Sequence, residues 1–131
     1  MKKKLIIIGV LAIVATIATV GIIFLLKVNN YQNTMSEMKF SNIDISSVPD
    51  GVYTGECDAD LIYAKVEVTV KDGTLAKIVL LEHRNGRGST AEGIEQRIVE
   101  QQRIEVDAVS GATNSSKVIM KAVDNALNSG G

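Results

Sequence analysis

The chain has 131 residues, one cysteine, one histidine and a formal net charge of −1 at neutral pH. A single cysteine excludes an intramolecular disulfide, and one cysteine with one histidine provides too few ligands for a zinc site or an iron–sulfur cluster. Between Val48 and Leu127 there are 13 acidic and 9 basic residues, a balance that disfavours nucleic-acid binding. Any redox chemistry in this chain therefore requires an organic cofactor.

The N-terminal region contains an uncharged apolar run of 22 residues, Leu5–Leu26. A helix of this length spans about 33 Å, enough to cross the hydrocarbon core of a bilayer. Three lysines precede the run and Lys27 follows it, so the positive-inside tendency predicts a cytoplasmic N-terminus and an extracytoplasmic C-terminal part. We expect residues 1–27 to form a signal-anchor in the cell membrane. Small residues between Ala12 and Gly21 leave cleavage as a signal peptide open as an alternative.

Residues 28–49 are rich in Asn, Ser and Met and lack a sustained apolar period, which predicts a stalk or linker. Continuation of the membrane helix through Met38 is an alternative, because the residues there are tolerated in helices. Residues 50–128 then form a small domain, and residues 129–131 form a tail. A domain of about 80 residues has a marginal core, which a bound cofactor would stabilise.

Three segments predict strands: Gly51–Cys57, Tyr63–Lys71 and Leu75–His83. The second alternates strictly, and its apolar face consists of Ala64, Val66, Val68 and Val70. We therefore expect one face of the sheet to be buried and the other to be exposed to water. Asp72-Gly73 is typical of a two-residue hairpin turn between the second and third strands.

The period of the sequence becomes helical after the third strand. Ser89 and Glu92 have the spacing of a capping box, and the helix that follows would bury one side, consisting of Ala91, Ile94 and Ile98. Ile104–Val106 indicates a short strand.

A last helix is predicted to begin near Asn114, and its apolar residues form a single stripe: Val118, Ile119, Ala122, Val123, Ala126 and Leu127. Strands followed by helices favour an α+β fold. We expect a small antiparallel sheet with two helices packed on one face, preceded by one N-terminal transmembrane helix.

Ser110, Thr113 and Cys57 are the candidate nucleophiles, and His83 is the only imidazole available as a base. Nucleophilic catalysis requires the base within hydrogen-bond reach and a third group that orients it, and nothing in the sequence indicates such a set. Cys57 lies in a predicted strand, where we expect a small packing residue rather than a reactive thiol. The sequence therefore disfavours hydrolase or protease activity.

The segment Asp107–Thr113, Asp-Ala-Val-Ser-Gly-Ala-Thr, runs directly into the last helix. Unpaired backbone N–H groups and the positive end of the helix dipole gather at such a start, which favours a phosphate group beside the Thr113 hydroxyl. An equally adequate interpretation is that Thr113 is the N-cap of the helix. Physical chemistry alone leaves both interpretations open.

The pattern Asp107-x-x-Ser110-Gly111-Ala112-Thr113 resembles the recognition sequence of bacterial flavin transferases, which join FMN to the hydroxyl of the final threonine through a phosphoester. Together with residues 50–56 and 66–73, it resembles the FMN-binding domain family, over most of the segment Asp50–Leu127. That family includes the flavin subunits of the sodium-pumping NADH:quinone oxidoreductase and of Rnf complexes. Those subunits are longer, so this chain is more similar to the small, single-domain, membrane-anchored members.

The resemblance implies that FMN is the cofactor and that it is covalently attached to Thr113. It assigns the turn recognised by the transferase to Asp107, Ser110, Gly111 and Ala112. We also consider three residues as neighbours of the flavin ring: His83, Arg87 and Gly88. Arg87 could pair with phosphate, and glycines allow close approach of the backbone, although loops between strands and helices use glycine routinely.

The function implied by the resemblance is that of an extracytoplasmic electron carrier, rather than an enzyme in its own right. Its partners would be the membrane, a flavin transferase for maturation, and an electron donor and acceptor that the sequence does not name, with a membrane quinone-linked dehydrogenase as one candidate. Two alternatives remain open. One is a flavin-free extracytoplasmic binding or structural module in which Thr113 caps a helix, and the other is an FMN-dependent reductase of a small substrate.

Overall fold

The computed structural model describes residues 1–41, 43–84 and 93–130. Its elements in chain order are helix α1 (Lys2–Glu37), a short 3-10 helix (Ile45–Ser47), strands β1 (Gly51–Asp58), β2 (Tyr63–Lys71) and β3 (Thr74–Arg84), and helices α2 (Ile94–Gln101) and α3 (Thr113–Gly130). The strands form one antiparallel sheet in the order β1-β2-β3.

Helix α1 exposes its apolar residues on all sides. The large apolar side chains between Leu5 and Leu26 are each more than half exposed, and none of the most apolar part of the helix is buried in the molecule. Its mean hydropathy reaches 2.8 over an 18-residue window. A core helix of a water-soluble domain would bury at least one face, whereas a helix in lipid needs no protein cover. Helix α1 could therefore anchor the protein in a membrane.

The helix continues 11 residues past the apolar run, through Glu37, as the alternative for residues 28–38 anticipated. This extension touches the domain. The Asn114 side-chain amide donates a hydrogen bond to the Tyr31 hydroxyl at 2.6 Å, and Asn30 donates to the Asp60 carboxylate at 3.4 Å. Tyr31 and Met35 are partly buried against the hydrophobic core. The end of the apolar helix and the domain are thus in direct contact.

A buried carboxylate fastens the segment after α1 to α3. Asp124 is fully buried and accepts hydrogen bonds from the Ser41 backbone N–H at 3.2 Å, the Ser41 hydroxyl at 2.5 Å and the Lys121 ammonium at 2.8 Å. The same ammonium donates to the Lys39 carbonyl at 2.6 Å. Because a buried charge is costly without partners, these bonds make release of the segment unfavourable.

The sheet follows the sequence pattern closely. Strand β2 has the predicted bounds, and its apolar face is fully buried. At the turn before β3, Asp72 and Gly73 have φ values of 53° and 72°, the left-handed pair that a two-residue turn between twisted strands requires. Gly73 supplies this conformation without the strain that a side chain adds.

The core lies between the sheet and the two helices of the domain. Helix α3 packs on β1 and β2, and α2 packs on β3 and α3. All six residues of the predicted α3 stripe are completely buried, as are Ile94 and Ile98 of α2. The α+β fold with both helices on one face of a small antiparallel sheet is therefore confirmed.

The predicted strand Ile104–Val106 is wrong, because this segment is irregular. At the edge of β3, the backbone hydrogen bonds of Leu75 are formed with a side chain instead of a further strand. The Gln102 amide accepts a hydrogen bond from the Leu75 N–H at 2.7 Å and donates one to the Leu75 carbonyl at 2.8 Å. Gln102 itself is left-handed, with φ of 51°, and turns the chain away from the sheet. The apolar signal arose because Ile104 is buried in the core. The predicted capping box of Ser89 and Glu92, with Ala91, lies outside the described residues.

We predict that Gly55→Ala strongly destabilises the domain. A Cβ at Gly55 would lie 2.3 Å from both the Ala122 carbonyl oxygen and the Ala126 backbone nitrogen, so the helix backbone must move. Overpacking of this kind costs about 1–3 kcal/mol or more. Gly51→Ala is the matched control, because a Cβ there meets only the side chain of Tyr53, at 3.3 Å. Urea unfolding should show a large loss of stability for the first variant and little for the second, and equal losses would contradict the packing argument.

Candidate functional site

The segment before α3 closes in a tight turn. The Ala112 N–H donates to the Val109 carbonyl at 2.9 Å, and Gly111 adopts φ of +81° between them. This φ is the left-handed region that favours glycine, so the Ser-Gly-Ala sequence at this position has a conformational reason. Ser110 and Gly111 are exposed, whereas Ala112 is buried. The turn is therefore held by the core at one end and is accessible at its tip.

A buried serine that the sequence interpretation missed fastens this turn to the helix. The Ser116 hydroxyl accepts a hydrogen bond from the Val109 N–H at 3.0 Å and donates one to the Ala112 carbonyl at 2.7 Å. The side chain is fully buried. A possible signal was its place one turn inside the helix, where a serine can bind backbone groups of the preceding turn. Ser116 thereby fixes the start of α3 relative to the turn.

The N-cap position of α3 is occupied by Ala112, and Thr113 is the first residue of the helix. The Ala112 carbonyl accepts the first helical hydrogen bond, from the Ser116 N–H at 2.9 Å, so Thr113 is already in the helix. Thr113 is exposed, and no described residue forms a hydrogen bond with its hydroxyl. The structure thus gives Thr113 no capping role, in contrast to one of the two interpretations that the sequence left open.

The first turn of α3 presents unused donors. In the described part of the chain, the backbone N–H groups of Thr113, Asn114 and Ser115 have no hydrogen-bond acceptor. The helix behind them has 18 residues, so its dipole places about half a positive charge at this end. Three donors, a positive end and an exposed hydroxyl together fit a phosphoryl group joined to Thr113. FMN has such a group, and the residues present therefore fit this cofactor at its phosphate.

Asp107 is held through its backbone. The Arg97 guanidinium on α2 donates to the Asp107 carbonyl oxygen at 3.0 Å, whereas the Asp107 side chain is exposed. The sequence analysis did not anticipate this bond between Arg97 and the turn. The structure therefore brings Asp107, Ser110, Gly111, Ala112 and Thr113 together in one segment fixed by α2 and by Ser116.

The proposed neighbours of the flavin ring are only partly described. His83 lies near the end of β3, partly buried, and borders a shallow depression together with Glu95 of α2. Arg87 and Gly88 lie outside the described residues. His83 thus lies next to α2, and within the described part of the chain it does not contact Thr113.

Cys57 is a packing residue, as expected. It is 8% exposed, and burial raises the pKa of its thiol to about 11, although the Lys121 charge opposes part of this rise. Because burial disfavours the thiolate, the thiol stays protonated at neutral pH. Cys57 therefore lacks the nucleophilic form that catalysis would require.

The chain also matches the sequence model of a known family. The sequence model of the FMN-binding domain matches residues 63–128, about half of the chain, from the start of β2 nearly to the end of α3. The chain belongs to the FMN-binding domain family. The match supports FMN as the cofactor, and with α1 it describes a flavin-binding protein that a single apolar helix could anchor in a membrane. It includes the whole segment Asp107–Thr113. No solved structure matches the chain.

We predict that Ser116→Ala loosens the turn of this FMN-binding domain. The variant leaves the Val109 N–H without its acceptor, and an unpaired, partly buried donor costs about 1–3 kcal/mol. Ser115→Ala is the matched control, because the neighbouring buried serine forms no hydrogen bond with its side chain in the described part of the chain. Amide exchange at Val109 should accelerate in the first variant alone. Unchanged exchange would show that Ser116 does not hold the turn.

Proposed function

We propose that this protein is a membrane-anchored, extracytoplasmic electron carrier whose FMN is joined to Thr113 by a phosphoester. The observation that supports the proposal most strongly lies at the start of α3. An exposed Thr113 hydroxyl and three backbone N–H groups there have no hydrogen-bond partner among the described residues. The family membership supplies the identity of the ligand.

The backbone of α3 would bind the phosphate of the cofactor. The N–H groups of Thr113, Asn114 and Ser115 can donate to its oxygens, and the helix dipole favours its negative charge. A Cβ at Gly111 would meet no atom of the described residues within 4 Å, so the tip of the turn next to Thr113 is open there. When bound, FMN supplies the reversible redox chemistry that the amino-acid side chains of this chain do not provide.

Attachment would require a separate transferase. In this proposal the cofactor donor would be a phosphoanhydride of FMN with a second phosphate. The Thr113 oxygen would form a bond to the FMN phosphorus, and the anhydride bond from that phosphorus to the second phosphate would break, so that the second phosphate leaves. The hydroxyl proton passes to a base of the transferase, because no described side chain of this protein hydrogen-bonds to the Thr113 hydroxyl. The exposure of the turn is consistent with its recognition by a second protein.

A covalent link between the cofactor and the protein suits a small extracytoplasmic domain. The described part of the domain is filled by side chains from both helices and the sheet, so a tether to the surface would replace an enclosing cavity. The lysines before Leu5 support an extracytoplasmic orientation of the domain by the positive-inside tendency. The alternative of a flavin-free module loses its main support, since Ala112 occupies the cap position that it assigned to Thr113.

We expect Thr113→Val to abolish covalent flavin while preserving the fold. Valine has nearly the same shape and helix propensity but no hydroxyl, and Thr113 is exposed. Thr54→Val is the matched control, because Thr54 is an exposed threonine on β1 with no side-chain hydrogen bond in the described part of the chain. Both proteins would be produced together with a flavin transferase and analysed by flavin fluorescence after denaturing electrophoresis.

The native chain and Thr54→Val should be fluorescent and Thr113→Val dark, with similar unfolding midpoints for all three. A fluorescent Thr113→Val protein would contradict the attachment site. A native chain that carries no flavin under the same conditions would instead favour the flavin-free module.

A further inference from the structure

The segment from Tyr31 near the end of α1 to Ser41 beyond it runs in the same direction as α3. Its contacts advance along both segments: Tyr31 meets Asn114, Lys39 meets Lys121, and Ser41 meets Asp124. The apolar run ends at Leu26, before the first of these contacts. The start of α3, which carries Thr113, is therefore the end of that helix nearest to the apolar run.

The height of this site above a bilayer follows from helix geometry. Tyr31 is five residues beyond Leu26, and at the helical rise this corresponds to about 7.5 Å along α1. The polar layer on each side of a bilayer is about 5–7 Å thick, as the difference between total and hydrocarbon thickness indicates. The side chain of a helical tyrosine leans toward the N-terminus of its helix, here toward the apolar run. Asn114 and its neighbour Thr113 would thus lie at the outer boundary of the lipid headgroups.

A second part of the domain would lie at the same height above the bilayer as Thr113. The connection between β1 and β2 contacts α1 through Asn30 and Asp60, one residue before Tyr31. The Arg84 guanidinium donates to the Asp60 carbonyl at 2.9 Å and so supports this connection from β3. At its tip, Leu61 is 38% exposed. An exposed leucine costs little at a lipid interface, where its side chain can leave water.

We propose that the end of the domain formed by Leu61, Arg84 and the segment Asp107–Thr113 rests on the lipid surface. The contacts of the α1 extension with Asn114 and Asp60, together with the bonds of the following segment to Asp124, hold the domain at one height and orientation. The opposite end, with the Asp72-Gly73 turn, points away from the bilayer. This inference rests on the proposed function only for the identity of the group attached to Thr113.

The consequence concerns which partners can reach Thr113. A group attached there would be open to carriers at the membrane surface.

Two labelled variants of the full chain test the placement. Leu61→Cys and Lys71→Cys put a thiol at opposite ends of β2, and the nine residues of that strand separate them by about 26 Å. Each variant would carry a fluorescent maleimide and be reconstituted into phosphatidylcholine–phosphatidylglycerol vesicles that contain headgroup-spin-labelled lipid. The native chain measures background labelling, which should be low because Cys57 is buried and protonated.

We expect quenching at Leu61→Cys to exceed that at Lys71→Cys severalfold. Insertion of seven alanines after Lys27 adds two helical turns, raises the domain by about 10 Å and should abolish most of the quenching at Leu61→Cys. Equal quenching at both positions, or no effect of the insertion, would overturn the proposal. Because neither label requires flavin, failure of this placement and failure of flavin attachment at Thr113 can be told apart.

Discussion

The direct contact between α3 and the backbone of β1 is the constraint on which the rest of the domain depends. At Gly55 the helix comes so close that a single Cβ would lie 2.3 Å from helix backbone atoms. The small residues Ala122 and Ala126 face the strand at this point, and the larger residues of the same stripe fill the space on either side. A helix seated in this way has little freedom to slide or rotate. Its first turn is consequently held in a fixed place although it lies at the surface.

That fixed first turn connects packing with function. A capping side chain commonly accepts a hydrogen bond from one of the first N–H groups of a helix, but here an alanine occupies the cap position, and within residues 1–41, 43–84 and 93–130 three of these donors have no acceptor. The missing cap leaves the helix less stable than it could be, by about 1 kcal/mol. A phosphoryl group on Thr113 would recover part of that stability, since it provides the acceptors and the negative charge. In the proposed function, the start of α3 would thus be ready to accept the phosphate before the cofactor is attached.

Local patterns predicted most of the helices and strands, because each of these patterns is set by residues close in sequence. The alternation of β2, the Asp72-Gly73 turn and the apolar stripe of α3 each follow from neighbouring residues. Two features could not be predicted because they depend on distant partners. Ile104 is apolar because it enters the core and not because it is in a strand, and the side chain of Gln102 occupies the sheet edge instead.

The candidate site likewise combines features that follow from neighbouring residues with features that depend on distant ones. The segment Asp107–Thr113 was found from its own sequence, together with the helix start that follows it. Its supports were not found, because Ser116 and Arg97 act across a turn or between helices. The contact of Tyr31 with Asn114 joins residues 83 positions apart, in a region whose composition predicted a stalk. This contact nevertheless joins the start of α3 to the apolar helix α1.

The peptide that contains Thr113 provides the most direct measurement of the central claim. Trypsin should release residues 104–117, between Arg103 and Lys117, from protein produced together with a flavin transferase. The account predicts that mass spectrometry finds this peptide heavier by FMN less one water, with fragment ions that place the added mass on Thr113. An unmodified peptide from protein that still binds flavin, or a modification placed on Ser110, Ser115 or Ser116, would contradict it.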